Sequence, residues 1–468
     1  MTTETPKGTE RDRALTELPS DLPAVTRTPV VPRGFVVGGA TAGIKASGRP
    51  DLAVVATEPG ADGSRPRVAA AAVFTSNAVA AAPVRVSRAH LAATGGSGGG
   101  WGTATAIVAT SGSANAATGA AGDADQARIA AVLGDALGAS VEQVLCLSTG
   151  LIGTRLPVDR VTAAIGSLVP RGLAATPDAL TAAAESLRTT DSRTKIATTS
   201  LRVEGEAGDA TLTVTGIAKG VGMIHPRMAT MLAILLTDAA VEPATLHGLL
   251  RGAAARTWDQ LSVDGDTSTN DTVFLLASAT AGKPIAAGSE AAATLGRAIE
   301  AVARDLARQQ AADGEGATTL VTCQVSGAVD DAEARAVART VISSSLVKAA
   351  VHGRDPNWGR IAGAAGNARL ADAPVLVAGG LAARDAEARA GKPASVDPDR
   401  LRIAIGGHLV FDGAAGGPIA FDREAARASM DAPEILIRLD LGLGSGSGEA
   451  FGCDLTEAYV IENSEYST

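Results

Sequence analysis

The amino-acid sequence predicts an α/β protein in which mixed, largely antiparallel sheets are layered with helices. Three observations carry this prediction. Strand and helix patterns are interleaved along the chain, but they do not form the regular strand–helix–strand repeat of a parallel sheet. Two strand patterns near the middle are separated by a short turn, which predicts an antiparallel hairpin. Over residues 434–441, apolar positions alternate with mostly polar ones, which is typical of a half-buried strand.

In the N-terminal half, ordered sequence is predicted to begin near Pro32. Short apolar runs bounded by turn residues indicate strands, and apolar residues three or four positions apart indicate helices. Residues 94–102 are mostly glycine and are predicted to form a flexible loop. The predicted strands are 52–56, 69–74, 104–110 and 141–147, and the hairpin strands 196–203 and 211–217 across a turn at 206–208. The predicted helices are 126–137, 158–168 and 177–187.

The C-terminal half continues the mixed order. A chain of 468 residues exceeds what one ordinary core accommodates, so two or three lobes or one large body are expected. Helices are predicted at 243–256, at 290–311 with Ser289 as the N-cap, and at 331–351 with acidic residues in the first turn. Strands are predicted directly after Thr230 and at 272–277, 320–325, 435–441 and 458–461.

Composition excludes several classes of function. The net charge of −9 without a basic cluster argues against a nucleic-acid partner. Three scattered cysteines and five histidines without ligand spacing predict a reducing cytoplasm, no disulfide framework and no metal. Residues 1–28 are polar and are predicted to be a disordered tail that is not a secretory signal. No apolar run reaches the roughly 18 residues of a membrane span, so no membrane association is expected.

The most informative stretch is residues 219–232, which read Lys-Gly-Val-Gly-Met-Ile-His-Pro-Arg-Met-Ala-Thr-Met-Leu. Gly220 and Gly222 can adopt unusual dihedrals, and Pro226 restricts the chain shortly before the Ala229–Thr230 bond. This layout suits a Thr230 that attacks its own preceding peptide bond. The freed α-amine, with an ordinary pKa of about 7.7–8.0, could then accept the Thr hydroxyl proton. The alternative is a threonine at the start of a buried strand.

Two further motifs carry groups that suit catalysis or binding. Residues 148–153 read Ser-Thr-Gly-Leu-Ile-Gly after a strand, so the Thr149 hydroxyl and the Gly150 N–H could hold an oxyanion. Glu315 lies between two glycines in residues 313–318 and could pair with a substrate ammonium group. Each motif could instead be an ordinary turn. The polar run 262–272 lacks the closing Glu of an EF-hand, which disfavours a calcium loop.

Together these motifs resemble those of the ornithine acetyltransferases (glutamate N-acetyltransferases), in the same order along the chain. Residues 355–360, Asp-Pro-Asn-Trp-Gly-Arg, are specific to that family. Cleavage in the family falls before the Thr of an Ala-Thr-Met-Leu run, as found here at Thr230. The resemblance extends from about Gly34 to Thr468.

The resemblance implies a self-cleaving, Ntn-hydrolase-like enzyme of arginine biosynthesis. It would transfer acetyl from N-acetylornithine to glutamate by a ping-pong mechanism through acetyl-Thr230. Residues 29–229 and 230–468 would form two chains, assembled as a heterotetramer of two copies of each. The enzyme would need no cofactor, and acetyl-CoA stays open as a further acetyl donor. The implied site residues are the oxyanion pair Thr149 and Gly150, the substrate-binding residues Thr189, Lys219, Thr230, Glu315, Asn463 and Thr468, and the cleavage pair Ala229 and Thr230.

The sequence departs from the family pattern at four positions. Residues 110–119 read Thr-Ser-Gly-Ser-Ala-Asn-Ala-Ala-Thr-Gly, so Thr110 and Ser113 replace amides and Ala117 replaces a cysteine. Thr319 replaces the usual lysine after Gly-Glu-Gly-Ala-Thr. These changes leave three alternatives open, namely a Thr aminopeptidase or amidase, an enzyme for other acyl-amino acids in secondary metabolism, and an uncleaved binding protein. A dinucleotide enzyme is set aside because residues 38–43 lack GxGxxG spacing.

Overall fold

The computed structural model describes residues 15, 18, 20–96, 98–205, 208–225 and 231–464. Two compact units are present. The large unit comprises Asp21–Asp259 and Val263–Glu315. The small unit comprises Gln260–Ser262 and Gly316–Tyr466, and the described part of the second segment ends at residue 464. Residues 15, 18 and 20 also belong to the small unit. Within the described ranges, no helix is long and apolar enough to cross a membrane.

The strands in chain order are β1 Phe35–Ala40, β2 Leu52–Thr57, β3 Val68–Phe74, β4 Trp101–Ala104, β5 Ala106–Ser113, β6 Val144–Leu151, β7 Lys195–Gly205, β8 Gly208–Lys219, β9 Leu232–Val241, β10 Leu261–Ser262, β11 Thr272–Ile285, β12 Leu320–Ala328, β13 Arg402–Ile405, β14 His408–Asp412, β15 Gly417–Pro418, β16 Glu434–Asp440 and β17 Gly446–Cys453. The α-helices are α1 Ala82–Thr94, α2 Gly119–Leu137, α3 Val158–Leu168, α4 Pro177–Leu187, α5 Pro243–Arg256, α6 Glu290–Ala312, α7 Asp331–Ser343, α8 Ser345–His352, α9 Trp358–Gly366, α10 Ala373–Ala378, α11 Ala383–Arg389, α12 Arg423–Ser429 and α13 Glu457–Ser464. Single 3₁₀ turns lie at Val141–Gln143, Trp258–Gln260 and Gly413–Ala415.

The large unit contains two sheets. One has the strand order β1-β2-β5-β6, and the other has the order β4-β3-β11-β9-β8-β7. Most neighbours are antiparallel, but β5 pairs with β6 and β9 pairs with β11 in parallel. The predicted fold class, mixed and largely antiparallel sheets layered with helices, is confirmed.

The layers of the large unit follow from strand alternation, because successive side chains point to opposite faces. Alternate residues of both sheets, such as Val55 and Ile234, share one buried core with helix α4. The other face of the four-stranded sheet packs against α2 and α3. The other face of the six-stranded sheet meets α6, whose Leu306 lies close to Gly216 of β8. The order is therefore helices, sheet, sheet, helices.

The small unit has one sheet with the order β10-β17-β12-β16-β13-β14-β15. The predicted strand at 435–441 is β16, and its burial alternates residue by residue as the sequence indicated. Its core includes α7 and α9. The Asp-Pro-Asn-Trp-Gly-Arg motif begins α9, where Asn357 Oδ1 accepts a hydrogen bond from Arg360 N and the Trp358 ring stacks on Phe411 at 4.9 Å.

Two predicted elements of the small unit are wrong. The helix predicted at 331–351 is two helices, because Ser344 is extended and its hydroxyl accepts a hydrogen bond from Val347 N to start α8. The strand predicted at 458–461 is part of helix α13. Tyr459 N donates to Thr456 Oγ1 at the start of that helix, and the apolar Val460 and Ile461 are exposed. A short apolar run cannot distinguish the two structures by itself.

Three corrections apply to the large unit. The loop predicted at 94–102 follows an unpredicted helix, α1, and runs into β4 at Trp101. The predicted strands 104–110 and 141–147 begin later than predicted, at Ala106 and Val144, and extend further into the polar motifs, as β5 and β6. Residues 24–28 of the predicted tail lie against β7, where the backbone N–H groups of Thr26 and Thr198 each donate to the other's carbonyl at 2.8 Å. An edge strand such as β7 offers unpaired backbone groups for this contact.

Candidate active site

The predicted oxyanion residues lie at the end of β6, paired with the end of β5. Thr149 is buried, and Gly150 pairs with Gly112 across the two parallel strands. A Cβ atom at Gly150 would lie 2.3 Å from the Gly112 carbonyl carbon, and the Gly150 φ is 127°. Only glycine fits this position, because a side chain would collide with the neighbouring backbone.

Lys219 ends β8 and reaches the same place. Its Nζ donates to Thr149 Oγ1 at 3.3 Å, and its side chain is 5% exposed. An ammonium group has no acceptor, so Thr149 Oγ1 accepts in this contact and keeps its own proton available to donate elsewhere. Burial lowers the pKa of Lys219, and the nearby charge of Asp191 opposes that shift.

The Thr189–Asp191 loop follows α4 and contacts two other predicted site segments. Thr189 N donates to Asp191 Oδ2 at 3.2 Å, which shapes the loop. Asp191 Oδ1 accepts from Gly220 N at 2.8 Å, next to Lys219. The Thr190 hydroxyl donates to Glu315 Oε1 at 2.9 Å. The loop therefore connects the groups predicted to bind the substrate.

Glu315 follows α6 and is held on two sides. Its N–H donates to the Val221 carbonyl at 2.8 Å, and its carboxylate accepts from Thr190. A Cβ atom at Gly222 would lie 2.1 Å from Glu315 Oε2, so the glycine is required for the close approach of this carboxylate. The alternative of an ordinary exposed turn is wrong, because Glu315 is only 9% exposed.

The predicted cleavage residues Ala229 and Thr230, and the predicted binding residue Thr468, lie outside the described residues. Upstream of the cleavage pair, the Asp264 carboxylate accepts hydrogen bonds from the backbone N–H groups of Met223 and Ile224. Downstream, Met231 N donates to Asp271 Oδ1 at 2.9 Å. The backbone is thus anchored on both sides by aspartate side chains of the polar run 262–272.

Asp271 was not predicted as a site residue. It is buried, and burial raises its pKa well above the ordinary Asp value. The neighbouring Asn270 donates from Nδ2 to the carbonyls of Ala114 and Ser148, at 2.7 and 2.8 Å. The sequence signal that could have indicated Asp271 is its position directly before an apolar strand. The run 262–272 was predicted only to support the site.

Lys195 and Asp313 were also missed. Lys195 Nζ donates to Asp191 Oδ1 at 2.7 Å and to Asp313 Oδ2 at 2.6 Å, and all three side chains are buried. A lysine at the start of a strand and an aspartate after a helix look like solvated residues in the sequence. Only their burial reveals a role.

Two of the four departures from the family pattern, Thr110 and Ser113, are accommodated by hydroxyl hydrogen bonds. Thr110 Oγ1 and Ser148 Oγ are 2.7 Å apart, and Ser113 Oγ donates to the Thr154 carbonyl at 2.8 Å. Ala117 has a φ of 56°. In the small unit, Thr319 is buried and its N–H donates to Asp454 Oδ1 at 3.0 Å.

The remaining predicted binding residue, Asn463, belongs to the small unit. It lies in helix α13 with an exposed side chain, and its Nδ2 donates to the Tyr459 carbonyl at 3.0 Å. Of the predicted residues, the structure therefore brings together Thr149, Gly150, Thr189, Lys219 and Glu315 within the large unit.

Comparisons with known proteins agree with these motifs. The model of the ArgJ family matches residues 36–468. An arginine biosynthesis bifunctional protein ArgJ from Gloeobacter violaceus is 42% identical over 439 residues, covering 93% of this chain and 97% of that protein. One from Thermus thermophilus is also 42% identical, with coverage of 94% and 99%. The crystal structure of ornithine acetyltransferase with ornithine from Mycobacterium tuberculosis is 35% identical, covers 43% of this chain and 97% of that one, and has a TM-score of 0.36. The chain belongs to the ArgJ family.

Proposed function

We propose that this protein transfers the acetyl group of N2-acetyl-L-ornithine to L-glutamate in arginine biosynthesis. The observation that carries the proposal is the Lys219–Thr149 contact, in a chain whose relatives at 42% identity are named arginine biosynthesis bifunctional proteins. Thr149 supplies a hydroxyl donor for an oxyanion. Glu315, connected through Thr190 and Asp191 to Lys219, supplies the opposite charge for a substrate ammonium group.

The enzyme first cleaves itself. Thr230 Oγ attacks the Ala229 carbonyl carbon, and the resulting ester replaces the peptide bond as the Thr230 nitrogen leaves and takes up a proton. Water then hydrolyses this ester, which frees the Thr230 hydroxyl beside the amine already released and leaves Ala229 with a carboxylate. The amine serves as the base for the same residue's hydroxyl, so no histidine is required.

The acetyl transfer has two halves. Thr230 Oγ attacks the acetyl carbonyl while the Thr230 amine takes its proton, and the Thr149 hydroxyl and Gly150 N–H stabilise the oxyanion. The intermediate collapses to acetyl-Thr230, and the ornithine amine leaves with that proton. The glutamate amine then attacks the ester carbonyl, its proton passes to the Thr230 amine, and N-acetylglutamate leaves as the Thr hydroxyl is restored.

Binding places the substrate for this chemistry. The Lys219 ammonium pairs with the substrate carboxylate, and Glu315 pairs with an ammonium group. Thr189, Asn463 and Thr468 complete the binding set by family resemblance. Fixing the acyl carbonyl against the nucleophile removes part of the entropic barrier, which can amount to several kcal/mol. We further propose that the enzyme is cytoplasmic and contains two copies of each chain. Light scattering of the native protein tests the number of chains.

Intact mass under denaturing conditions tests the cleavage. The wild type is expected to give two masses, those of residues 1–229 and 230–468. The Thr230→Ala variant is expected to give the mass of one uncut chain. Acetyl transfer from N-acetylornithine to glutamate is then assayed with the cleaved protein. Release of free acetate without N-acetylglutamate would instead assign a hydrolase, and an uncut wild-type chain would favour a binding protein.

A further inference from the structure

Four buried charged side chains form a cluster in the large unit, here called the charge quartet: Asp191, Lys195, Lys219 and Asp313. Their side chains are between 0 and 5% exposed. Two are acidic and two are basic, so their charges cancel. Burial by itself would raise the pKa of Asp191, but the charges of Lys219 and Lys195 and the N–H groups around it hold that pKa well below its ordinary value.

Lys195 has no donor left for a ligand. Its Nζ donates to Asp191 Oδ1 at 2.7 Å, to Asp313 Oδ2 at 2.6 Å and to the Arg193 carbonyl at 3.4 Å. An ammonium group has three N–H bonds, and these contacts occupy all of them. Lys195 therefore connects protein segments and does not bind a substrate.

The segments joined by Lys195 are those that carry the predicted binding groups. Asp191 holds Gly220 at the end of β8, next to Lys219, and orders the loop at Thr189. Asp313 stands two residues before Glu315 and also accepts from Ser192 N at 3.1 Å. The ion bridge thus fixes the distance between the end of β8 and the turn that follows α6.

We propose that Lys195 is a positioning residue whose bridge between Asp191 and Asp313 sets the spacing of Lys219 and Glu315 for an amino-acid substrate. The ligand would be a zwitterion whose carboxylate pairs with Lys219 and whose ammonium group pairs with Glu315. This ligand class rests on the function proposed above. A buried ion pair is not by itself evidence of stabilisation, since desolvation offsets much of its attraction. The role that the bridge offers is therefore geometric, because Lys195 holds two chain segments at one separation.

The double variant Lys195→Met/Asp313→Asn separates geometry from charge balance. Lys195→Met alone leaves an uncompensated acidic charge, which destabilises the fold for reasons unrelated to positioning. In the double variant the remaining charges of Asp191 and Lys219 still cancel, while the bridge is lost. The asparagine amide oxygen still accepts from Ser192. The matched control is Arg256→Met/Glu300→Gln, which neutralises the 2.7 Å ion pair between α5 and α6.

Two measurements are made on the full-length protein. Hydrogen–deuterium exchange is expected to accelerate in peptides spanning 188–195 and 312–318 of the double variant, and not in the control. Kinetics are expected to show KM for ornithine-type and glutamate substrates raised about tenfold, with kcat within about threefold of wild type. The control should keep the wild-type KM.

Unchanged exchange in both peptides, or a fall in kcat at constant KM, would overturn the proposal. If the wild type transfers no acetyl group, the proposed function fails while the exchange measurement still decides the role of Lys195. If the double variant does not fold, Asp313→Ala alone serves, because it removes the acceptor that Lys195 reaches after α6 while Asp191 still pairs with that lysine. Its exchange at 312–318 should rise, and wild-type exchange there would overturn the proposal.

Discussion

Lys219 Nζ lies 3.3 Å from Thr149 Oγ1, and the ammonium group can only donate in this contact. Because Thr149 Oγ1 accepts from Lys219, the Thr149 hydroxyl proton must point away from Lys219. This orientation is the one that the proposed oxyanion role requires, because the hydroxyl could donate to a substrate oxygen without reorientation.

Thr149→Val is expected to lower kcat for acetyl transfer about 10²–10³-fold, because it removes one oxyanion donor. Thr149→Ser retains the hydroxyl and should keep most of the activity. Steady-state kinetics of both variants check this, after mass spectrometry has established that each is cleaved like the wild type. Full activity of the valine variant would contradict the role of Thr149.

Gly222→Ala is expected to raise KM for the substrate whose ammonium group pairs with Glu315, since the new methyl would lie 2.1 Å from the present position of Glu315 Oε2. Gly248→Ala is the matched control. Gly248 lies in the exposed part of helix α5 with open space around its Cβ position, so alanine should stabilise that helix by about 0.5–1 kcal/mol. Equal KM values for the two variants would contradict the binding role proposed for Glu315.

Asp191→Asn is expected to destabilise the protein at neutral pH by about 3–5 kcal/mol, because it leaves a buried cation undercompensated. The Asp191 pKa is depressed in the fold, so its contribution is present above the ordinary Asp pKa of about 3.9 and is lost as pH falls through the folded pKa. Urea unfolding at pH 3 and pH 7 measures this. The difference between the two proteins should shrink at the lower pH, and a constant difference would refute the assignment.

Asp271→Asn should show the opposite pH dependence. Burial raises the Asp271 pKa, so the folded protein retains a proton that the unfolded chain releases. Wild-type stability therefore falls as pH rises from about 3.9 toward the folded pKa, and the neutral asparagine removes that loss. The free energy of unfolding of the variant, relative to wild type, should increase between pH 4 and pH 8. A decrease over that range would mean that Asp271 is ionised in the fold.

Lys45 is expected to react with amine reagents at mildly alkaline pH more readily than its half-buried position suggests. Burial and the nearby Arg49 lower its pKa to about 8. An ordinary lysine titrates near 10.4, so Lys45 has a much larger fraction of neutral amine at pH 8. Quantitative labelling followed by peptide mass spectrometry, with the exposed Lys392 as internal reference, checks this. Labelling that rises only above pH 10 would contradict the lowered pKa.

Local patterns predicted many elements of this fold correctly. Helices α3, α4 and α5 begin and end where their periodicity, proline and polar flanks indicated. The hairpin of β7 and β8 was also found. The errors occur where local information is ambiguous. The apolar residues 458–461 fit a strand or a helix equally, and the hydroxyl of Thr456 decides for the helix. At Ser344, one side-chain cap divides a continuous helical pattern in two.

The sequence by itself determined the fold class, the family and the position of Thr149, Lys219 and Glu315 in recognisable motifs. Only the tertiary structure decided how these residues are held. Lys195 and Asp313 are 118 positions apart, and they meet because strand β7 and helix α6 pack on one another. A contact of this kind depends on sheet register and helix placement, which are set by the whole core, so no local pattern in the chain could reveal it.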